Sequence, residues 1–315
     1  MQYSRFLPLL ALCLVMPHAA AQTSSLAGIV YDPAAALQPQ LTQRKDAQGK
    51  PLSLYNLSFL GGSGARVPAL VSVPNVPAKG KRPAVILLHG LGGDKNQLQA
   101  LALLLNGKGY LTVAIDVAGH GERPKVNGKG VGEQDLAGMR TIAAQTVQDL
   151  RATVDYLASR DDIDTKRIGF VGVSLGGVLG ARFLADEPRV AAAALWVAGG
   201  DWGTLITTSA HPFAKRFRDT GETDAAKIRQ ALADVDPVPA ISHAAPRPLL
   251  FLNGATDDVV PKACSEALFA AAKDPKERTI LPGGHIPNLF DMASRTIAFL
   301  EKNLNKPTTP GHPNP

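Results

Sequence analysis

The stretch Ile168-Gly169-Phe170-Val171-Gly172-Val173-Ser174-Leu175-Gly176-Gly177 decides the reading of this chain. A short apolar strand runs into Gly172-Val173-Ser174-Leu175-Gly176, and a helical pattern from Leu175 to Leu184 follows at once. A G-x-S-x-G set between a strand and a helix puts its serine on a sharp turn, with the hydroxyl projecting above the sheet. The flanking glycines remove Cβ atoms for which such a turn has no room. The helix beginning at Leu175 aims its positive N-terminal end at any negative charge forming beside the serine. The five-residue pattern alone also occurs in ordinary Gly-Ser turns. The strand before it and the helix after it favour the chemical role.

Outward from Ser174 the same rhythm repeats. Toward the N-terminus, Ala84-Val85-Ile86-Leu87-Leu88 is an unbroken apolar run, as a strand covered on both faces requires. Leu98 to Leu105 is helical in pattern, and Tyr110 to Val117 is strand-like. Leu136, Met139, Ala143, Val147, Leu150, Val154 and Leu157 recur at helical spacing. Toward the C-terminus, Ala191 to Val197, Pro248 to Leu252 and Arg278 to Leu281 read as strands, with helices over about Lys262 to Ala272 and Asn288 to Leu300. Such alternation predicts an α/β fold: a mostly parallel sheet with helices on both faces. Leu52 to Leu60 and Val67 to Val73, joined by Gly61-Gly62-Ser63-Gly64, predict an antiparallel hairpin at its N-terminal edge. Residues 22–50 show little periodicity. Gly199 to Ser242 has helix-like pieces and loop signals but no clear strand, so a short helical lid over about 199–242 is expected. One domain over 22–305 and a disordered, Pro- and Asn-rich tail over 306–315 complete the layout.

A serine hydroxyl needs a base. Of seven histidines, His285 is best placed, after Gly283-Gly284 in the loop between the last strand and the last helix. That loop opens at the same edge of the sheet as Ser174. An ordinary surface histidine is the bland alternative. The base in turn needs a carboxylate on its second nitrogen. Asp257 and Asp258, following strand Pro248 to Leu252, are both candidates. Asp257 is preferred, leaving Asp258 as a turn or capping residue. The chain order Ser, Asp, His fits this fold. Oxyanion donors are expected from the backbone amides of Leu91, in His89-Gly90-Leu91-Gly92-Gly93, and of Leu175. His89 is expected to shape its loop by hydrogen bonding rather than act as base, and is placed with Trp202 and Phe213 among substrate-binding residues. Leu205, Ile206 and Phe217 are further pocket candidates, although core packing is the default for such side chains.

These motifs together resemble the α/β-hydrolase superfamily, near its dienelactone hydrolase and acetyl-xylan-esterase-like branch. His89-Gly90-x-Gly92-Gly93, Asp116-Val117-Ala118-Gly119-His120-Gly121-Glu122-Arg123, Gly172-x-Ser174-x-Gly176, Gly254-x-x-Asp257 and Gly284-His285 fall in that family's order, over Leu52 to Leu300. The resemblance implies the α/β-hydrolase fold, with nucleophile, acid and base at Ser174, Asp257 and His285. It implies that the segment around His120 shapes the pocket without taking part in the chemistry. Some dienelactone hydrolases use a cysteine nucleophile, and the serine here departs from that pattern. The expected activity is hydrolysis of a small-molecule carboxylic ester, with no metal or organic cofactor. A small-amide or peptide hydrolase on the same residues is the alternative. A non-catalytic binding protein on a hydrolase scaffold is a second one, which loss of a triad member would signal, and none is missing.

Composition sets the setting for this chemistry. With 45% hydrophobic residues in 315, the chain can bury one large core. Arg5, the apolar run Phe6 to Met16 and Ala19-Ala20-Ala21 read in order as a secretory signal peptide over residues 1–21. The run is too short for a spanning helix of ~20 residues, so export to the periplasm or beyond is expected, with no stable membrane insertion. Cys13 lies in that run, but Leu12 before it does not suit a lipoprotein signal. Cleavage leaves Cys264 alone, so the core rather than a disulfide must hold the mature fold. The net charge of +6 comes from scattered Lys and Arg without a long basic block or zinc-finger spacing, so no nucleic-acid partner is expected. No sequence feature sets an oligomeric state.

Overall fold

The computed structural model describes residues 23–305, so the expected leader at 1–21 and the expected tail at 306–315 lie outside the described residues. Strands β1 (Ser24–Leu26) and β2 (Ile29–Tyr31) form a small separate hairpin. Then come β3 (Gln40–Lys45), β4 (Pro51–Leu60), β5 (Arg66–Ser72) and β6 (Arg82–Leu88). The alternating part follows: α1 (Gln99–Gly107), β7 (Leu111–Ile115), α2 (Leu136–Ala158), β8 (Ile163–Val173), α3 (Leu175–Asp186) and β9 (Val190–Trp196). After β9 lie three short helices, α4 (Trp202–Thr208), α5 (Pro212–Asp219) and α6 (Ala225–Ala231). The chain ends with β10 (Leu249–Gly254), α7 (Lys262–Ala271), β11 (Lys276–Leu281) and α8 (Leu289–Leu304).

Nine of these strands form one sheet in the order β11-β10-β9-β8-β6-β7-β5-β4-β3. From β11 to β7 every pairing is parallel. The pairings of β7 with β5, β5 with β4 and β4 with β3 are antiparallel. The expected mostly parallel α/β-hydrolase sheet is therefore present. Its antiparallel hairpin, β4–β5, lies toward one edge and is extended outward by β3. That outer strand was not legible because most of its residues are exposed, so Gln40–Lys45 has no buried alternation. Arg44 and Lys45 near its end suit an open edge, where charge discourages pairing with another chain.

The unbroken apolar strands are explained by burial on both faces. In β6, Ala84, Ile86 and Leu88 pack into one cluster, while Val85 and Leu87 pack into the other. In β9, Ala193 and Leu195 divide from Ala192, Ala194 and Trp196 in the same way. Helices α2 and α3 supply the first cluster, with Val147, Leu150, Val154, Leu179 and Phe183. Helices α1 and α8 supply the second, with Leu101, Leu105, Phe299 and Leu300. Between β9 and β10, residues 199–242 contain no strand, as expected, and hold α4, α5 and α6.

Behind Ser174, the far end of α3 is tied down by Arg247. This guanidinium is almost fully buried and donates to the carbonyls of Leu184, Glu187 and Val190, the first two at the C-terminal end of α3. Helix ends leave such carbonyls without intrahelical donors, and buried ones are costly when unpaired. Replacing Arg247 by Met should lower the unfolding free energy by about 3 kcal/mol, since several acceptors lose their donor at once. Urea denaturation measures it, and an unchanged midpoint would show that these carbonyls find other partners.

Candidate active site

Parallel strands all point their C-terminal ends to one edge of the sheet, and loops there bring residues from distant parts of the chain together. Four such loops matter here: residues 89–93 after β6, Ser174 after β8, residues 255–261 after β10 and residues 282–288 after β11. In sheet order β11 is three strands from β8. At ~4.8 Å per strand that is about 14 Å, which the loops must close.

Ser174 sits at φ 52° and ψ −118°, a conformation that costs a residue with a side chain about 1–3 kcal/mol. Its neighbours leave no room for larger residues in the turn. A Cβ on Gly172 would overlap the Gly176 carbonyl, and one on Gly176 would overlap the carbonyl oxygens of Leu88 and His89. The turn is therefore pressed against the end of β6. It is further held by the Ser174 amide donating to the Trp196 carbonyl (2.8 Å) and by the Val178 amide donating to the Ser174 carbonyl (2.9 Å). Helix α3 starts at Leu175, so that residue's amide is at the first helical position and has no intrahelical acceptor. Leu91 and Leu175 both line the cavity that Ser174 enters.

The loops carrying Asp257 and His285 are joined to each other. The Ala255 amide donates to the Leu281 carbonyl (2.8 Å) and the Thr256 amide to the Gly283 carbonyl (3.0 Å). A Cβ on Gly254 would overlap the Gly284 carbonyl, so the histidine loop crosses directly over the end of β10. The crossing brings His285 Nδ1 to 3.0 and 2.9 Å from the two carboxylate oxygens of Asp257. His285 Nε2 lies 2.9 Å from Ser174 Oγ. Asp257 also accepts the amides of Val259 (3.0 Å) and Val260 (2.9 Å), which fixes its carboxylate. Its side chain is 4% exposed and that of His285 is 19% exposed, so the carboxylate is covered while the imidazole remains accessible. Asp258 is exposed, and its backbone carbonyl accepts the Ala210 amide.

The structure brings Ser174, His285, Leu91, Leu175, Trp202 and Phe213 to one cavity of ≈ 340 Å³, with Asp257 behind His285. Leu205 lines it too, whereas Ile206 and Phe217 are buried in the core instead. The expectation that His89 touches substrate is corrected. Its ring is 2% exposed and is not part of the cavity wall. Nε2 accepts the Val117 amide at 3.0 Å, and Nδ1 meets the Gly90 carbonyl at 2.8 Å. Both nitrogens are spent on holding the Leu91 loop against the end of β7. His120 packs beside it, with ring centroids 5.2 Å apart, and Asp116 accepts the amides of Lys95 (2.7 Å) and Glu122 (3.0 Å). Much of the cavity wall is not marked in the sequence, the polar Gln97 and His211 included. Gln97 accepts the Gly90 amide at 2.8 Å, and His211 lies on the wall. For His211 a signal existed: Pro212 after it marks a helix start and puts it at the N-cap.

With a strained serine at the top of β8, an accessible imidazole on it and a carboxylate behind, the arrangement has the parts of an acyl-transfer centre on an α/β-hydrolase fold. A sequence profile of the prolyl oligopeptidase family matches residues 96–281. The chain belongs to that family. An uncharacterised protein of Mycobacterium tuberculosis is 31% identical over 216 residues, which are 67% of this chain and 66% of that protein. The 2,6-dihydropseudooxynicotine hydrolase of Paenarthrobacter nicotinovorans is 29% identical over 203 residues, 62% of this chain and 49% of that enzyme. The chain thus spans only part of the length of these relatives. Among solved structures, an acetyl xylan esterase of a Paenibacillus species shares the fold with a TM-score of 0.71 at 21% identity, covering 86% of this chain and 90% of that one. Acetyl xylan esterase 1 of a Thermoanaerobacterium species gives a TM-score of 0.70 at 20% identity, covering 85% and 89%.

Burial lowers the pKa of His89 to about 4, since a charged imidazole there would lack water. Above the ordinary value of 6.5 both folded and unfolded forms are neutral and stability is full. As pH falls from 6.5 toward 4, the unfolded imidazole gains a proton that the folded one refuses, so stability is lost by up to about 3 kcal/mol. His89→Asn should flatten the fall in urea midpoint across that window. Equal slopes in the two proteins would show that His89 is not the titrating group.

Proposed function

We propose that the chain hydrolyses carboxylic esters by two-step acyl transfer, with Ser174 as nucleophile, His285 as general base and Asp257 as the carboxylate that orients it. The observation that carries this reading is the 2.9 Å contact between His285 Nε2 and Ser174 Oγ, with Nδ1 of the same ring on Asp257. Asp257 fixes the tautomer, so Nε2 is free to accept a proton. Ser174 Oγ attacks the carbonyl carbon as that proton moves to His285. The carbonyl oxygen becomes an oxyanion held by the Leu91 and Leu175 amides, each donor being worth roughly 3 kcal/mol at the transition state. Collapse expels the alcohol, which takes the proton from His285. Water, activated by the same imidazole, then releases the acid from Ser174.

The shape and lining of the cavity support a small, largely apolar substrate. Val131, Met139, Ile142, Leu205 and Phe213 dominate its wall, and ≈ 340 Å³ is near the small end of ligand sites. In this reading α4 and α5 act as a lid whose side chains select the acyl group. A peptide or small-amide substrate is the second reading, favoured by the membership in a family named for a peptidase. It asks more of the site, since an amine leaves less readily than an alkoxide. Export through the leader at residues 1–21 is part of the proposal, and the N-terminal sequence of the protein recovered outside the cytoplasm should begin at Gln22.

Ser174→Ala and His285→Ala should each reduce kcat on p-nitrophenyl butanoate by ~10⁴-fold or more, and Asp257→Asn by about the same order. Asp258→Asn should retain most of the rate. If Asp258→Asn is the inactive variant and Asp257→Asn is not, the orienting role belongs to Asp258. Faster cleavage of a butanoyl p-nitroanilide than of the matching ester would favour the amide reading.

A further inference from the structure

His211 lines the cavity but has no part in the acyl-transfer steps. His211 is the N-cap of α5, and its Nδ1 accepts the Phe213 amide at 3.1 Å. Its own amide donates to Ser209 Oγ at 3.1 Å, and Ser209 Oγ donates to the Val259 carbonyl at 2.6 Å. The adjacent Ala210 amide donates to the Asp258 carbonyl at 2.8 Å. The histidine is thus anchored to the loop that carries Asp257, and its ring is fixed relative to His285.

A ring nitrogen that accepts a hydrogen bond carries no proton, so in the neutral ring the proton is on Nε2. Among the described residues no acceptor meets that N–H. The ring is partly exposed on the wall of the cavity shared with Ser174 and His285, among apolar neighbours such as Leu205, Phe213 and Ile286. Burial, and then the nearby His285, hold its pKa below the ordinary value and keep it a neutral donor. Among the other polar side chains at the wall, Ser209 donates to the Val259 carbonyl, Ser174 and His285 meet each other, and Gln97 accepts the Gly90 amide through Oε1 while its amide nitrogen stays on the exposed side chain.

We propose that His211 is a specificity-determining residue whose Nε2–H donates to a second oxygen of the substrate, so that the preferred esters carry an ether, keto or hydroxyl oxygen near the scissile bond. This deepens the ester-hydrolase reading and rests on it. An all-carbon isostere of such a substrate leaves the donor without a partner and binds less well. The carbonyl under attack is not this acceptor, because the Leu91 and Leu175 amides serve it.

Three esters of matched length test the assignment: butyl butanoate, butyl methoxyacetate and 2-methoxyethyl butanoate. The last two each replace one methylene of the first by oxygen, in the acyl and the alcohol part respectively. The readout is kcat/KM for each oxygen-bearing ester divided by that for butyl butanoate, which cancels differences in overall activity between variants. His211→Asn keeps a strong N-cap and removes the Nε2–H. It should lower at least one of the two ratios about ten-fold relative to wild type, mainly through KM, given one lost hydrogen bond in a partly dry site. The ester that responds tells which part of the substrate faces His211. His211→Asp, also a good cap, puts an acceptor in place of the donor and should lower the same ratio at least as far. If both ratios stay within about two-fold of wild type in a folded, active variant, His211 does not read the substrate. A wild type that cleaves none of the three esters would sink the ester reading, and this assignment with it.

Discussion

The site depends on one strained backbone position. Ser174 is held at a positive φ that an isolated residue with a side chain would leave. What keeps it there is the close packing of its turn between the ends of two strands. The carbonyls of Leu88 and His89 at the end of β6 occupy the space beside Gly176, and the Trp196 carbonyl at the end of β9 accepts the Ser174 amide. The strain is therefore offset by the sheet itself, through contacts formed only when β6, β8 and β9 are in register. The same packing brings the loop bearing Leu91 beside the serine, with Gly90 a side-chain contact away from it. Fold and site are in this sense a single structure.

A second constraint closes the distance from the other side. Asp257 and His285 leave from strands two and three places away from β8. Their loops cross so closely at Gly254 that a methyl group would not fit beneath Gly284, and two backbone hydrogen bonds lock the crossing. The imidazole is placed by backbone contacts as well as by its own side-chain partners. The helices between β9 and β10 add a wall: α4 brings Trp202 and Leu205, the turn into α5 brings His211, and α5 brings Phe213. Ser209 and Ala210 tie that wall to the Asp257 loop, so the pocket and the carboxylate share one support.

Much of this could be read from the residues in order. The turn at Ser174 announces itself because strand, glycines and helix are all local. Strands β6 and β9 were legible because burial on both faces leaves an unbroken apolar run. The spacing after Gly254 favours Asp257 over Asp258, and the carboxylate beside His285 in the structure is that of Asp257. Other parts were hidden for physical reasons. The outer strand β3 carries almost no buried residues, so it has no pattern. His89 sits in a glycine loop beside the serine, where a role at the substrate was a reasonable expectation. Its two hydrogen bonds to Val117 and Gly90 depend on how β6 and β7 pair, which spacing along the chain does not reveal. His211 is only half marked: Pro212 points to an N-cap there, but its place at the cavity is set by the packing of α5.

The proposed chemistry rests on Ser174 as the nucleophile. Its most direct test is peptide-mapping mass spectrometry after treatment with a fluorophosphonate, which forms a stable adduct with an activated serine. A nucleophilic Ser174 should give a single phosphonyl adduct on the peptide containing it, formed in step with the loss of ester turnover. Full loss of turnover with the adduct on another residue, or a turning-over enzyme that forms no adduct, would contradict it.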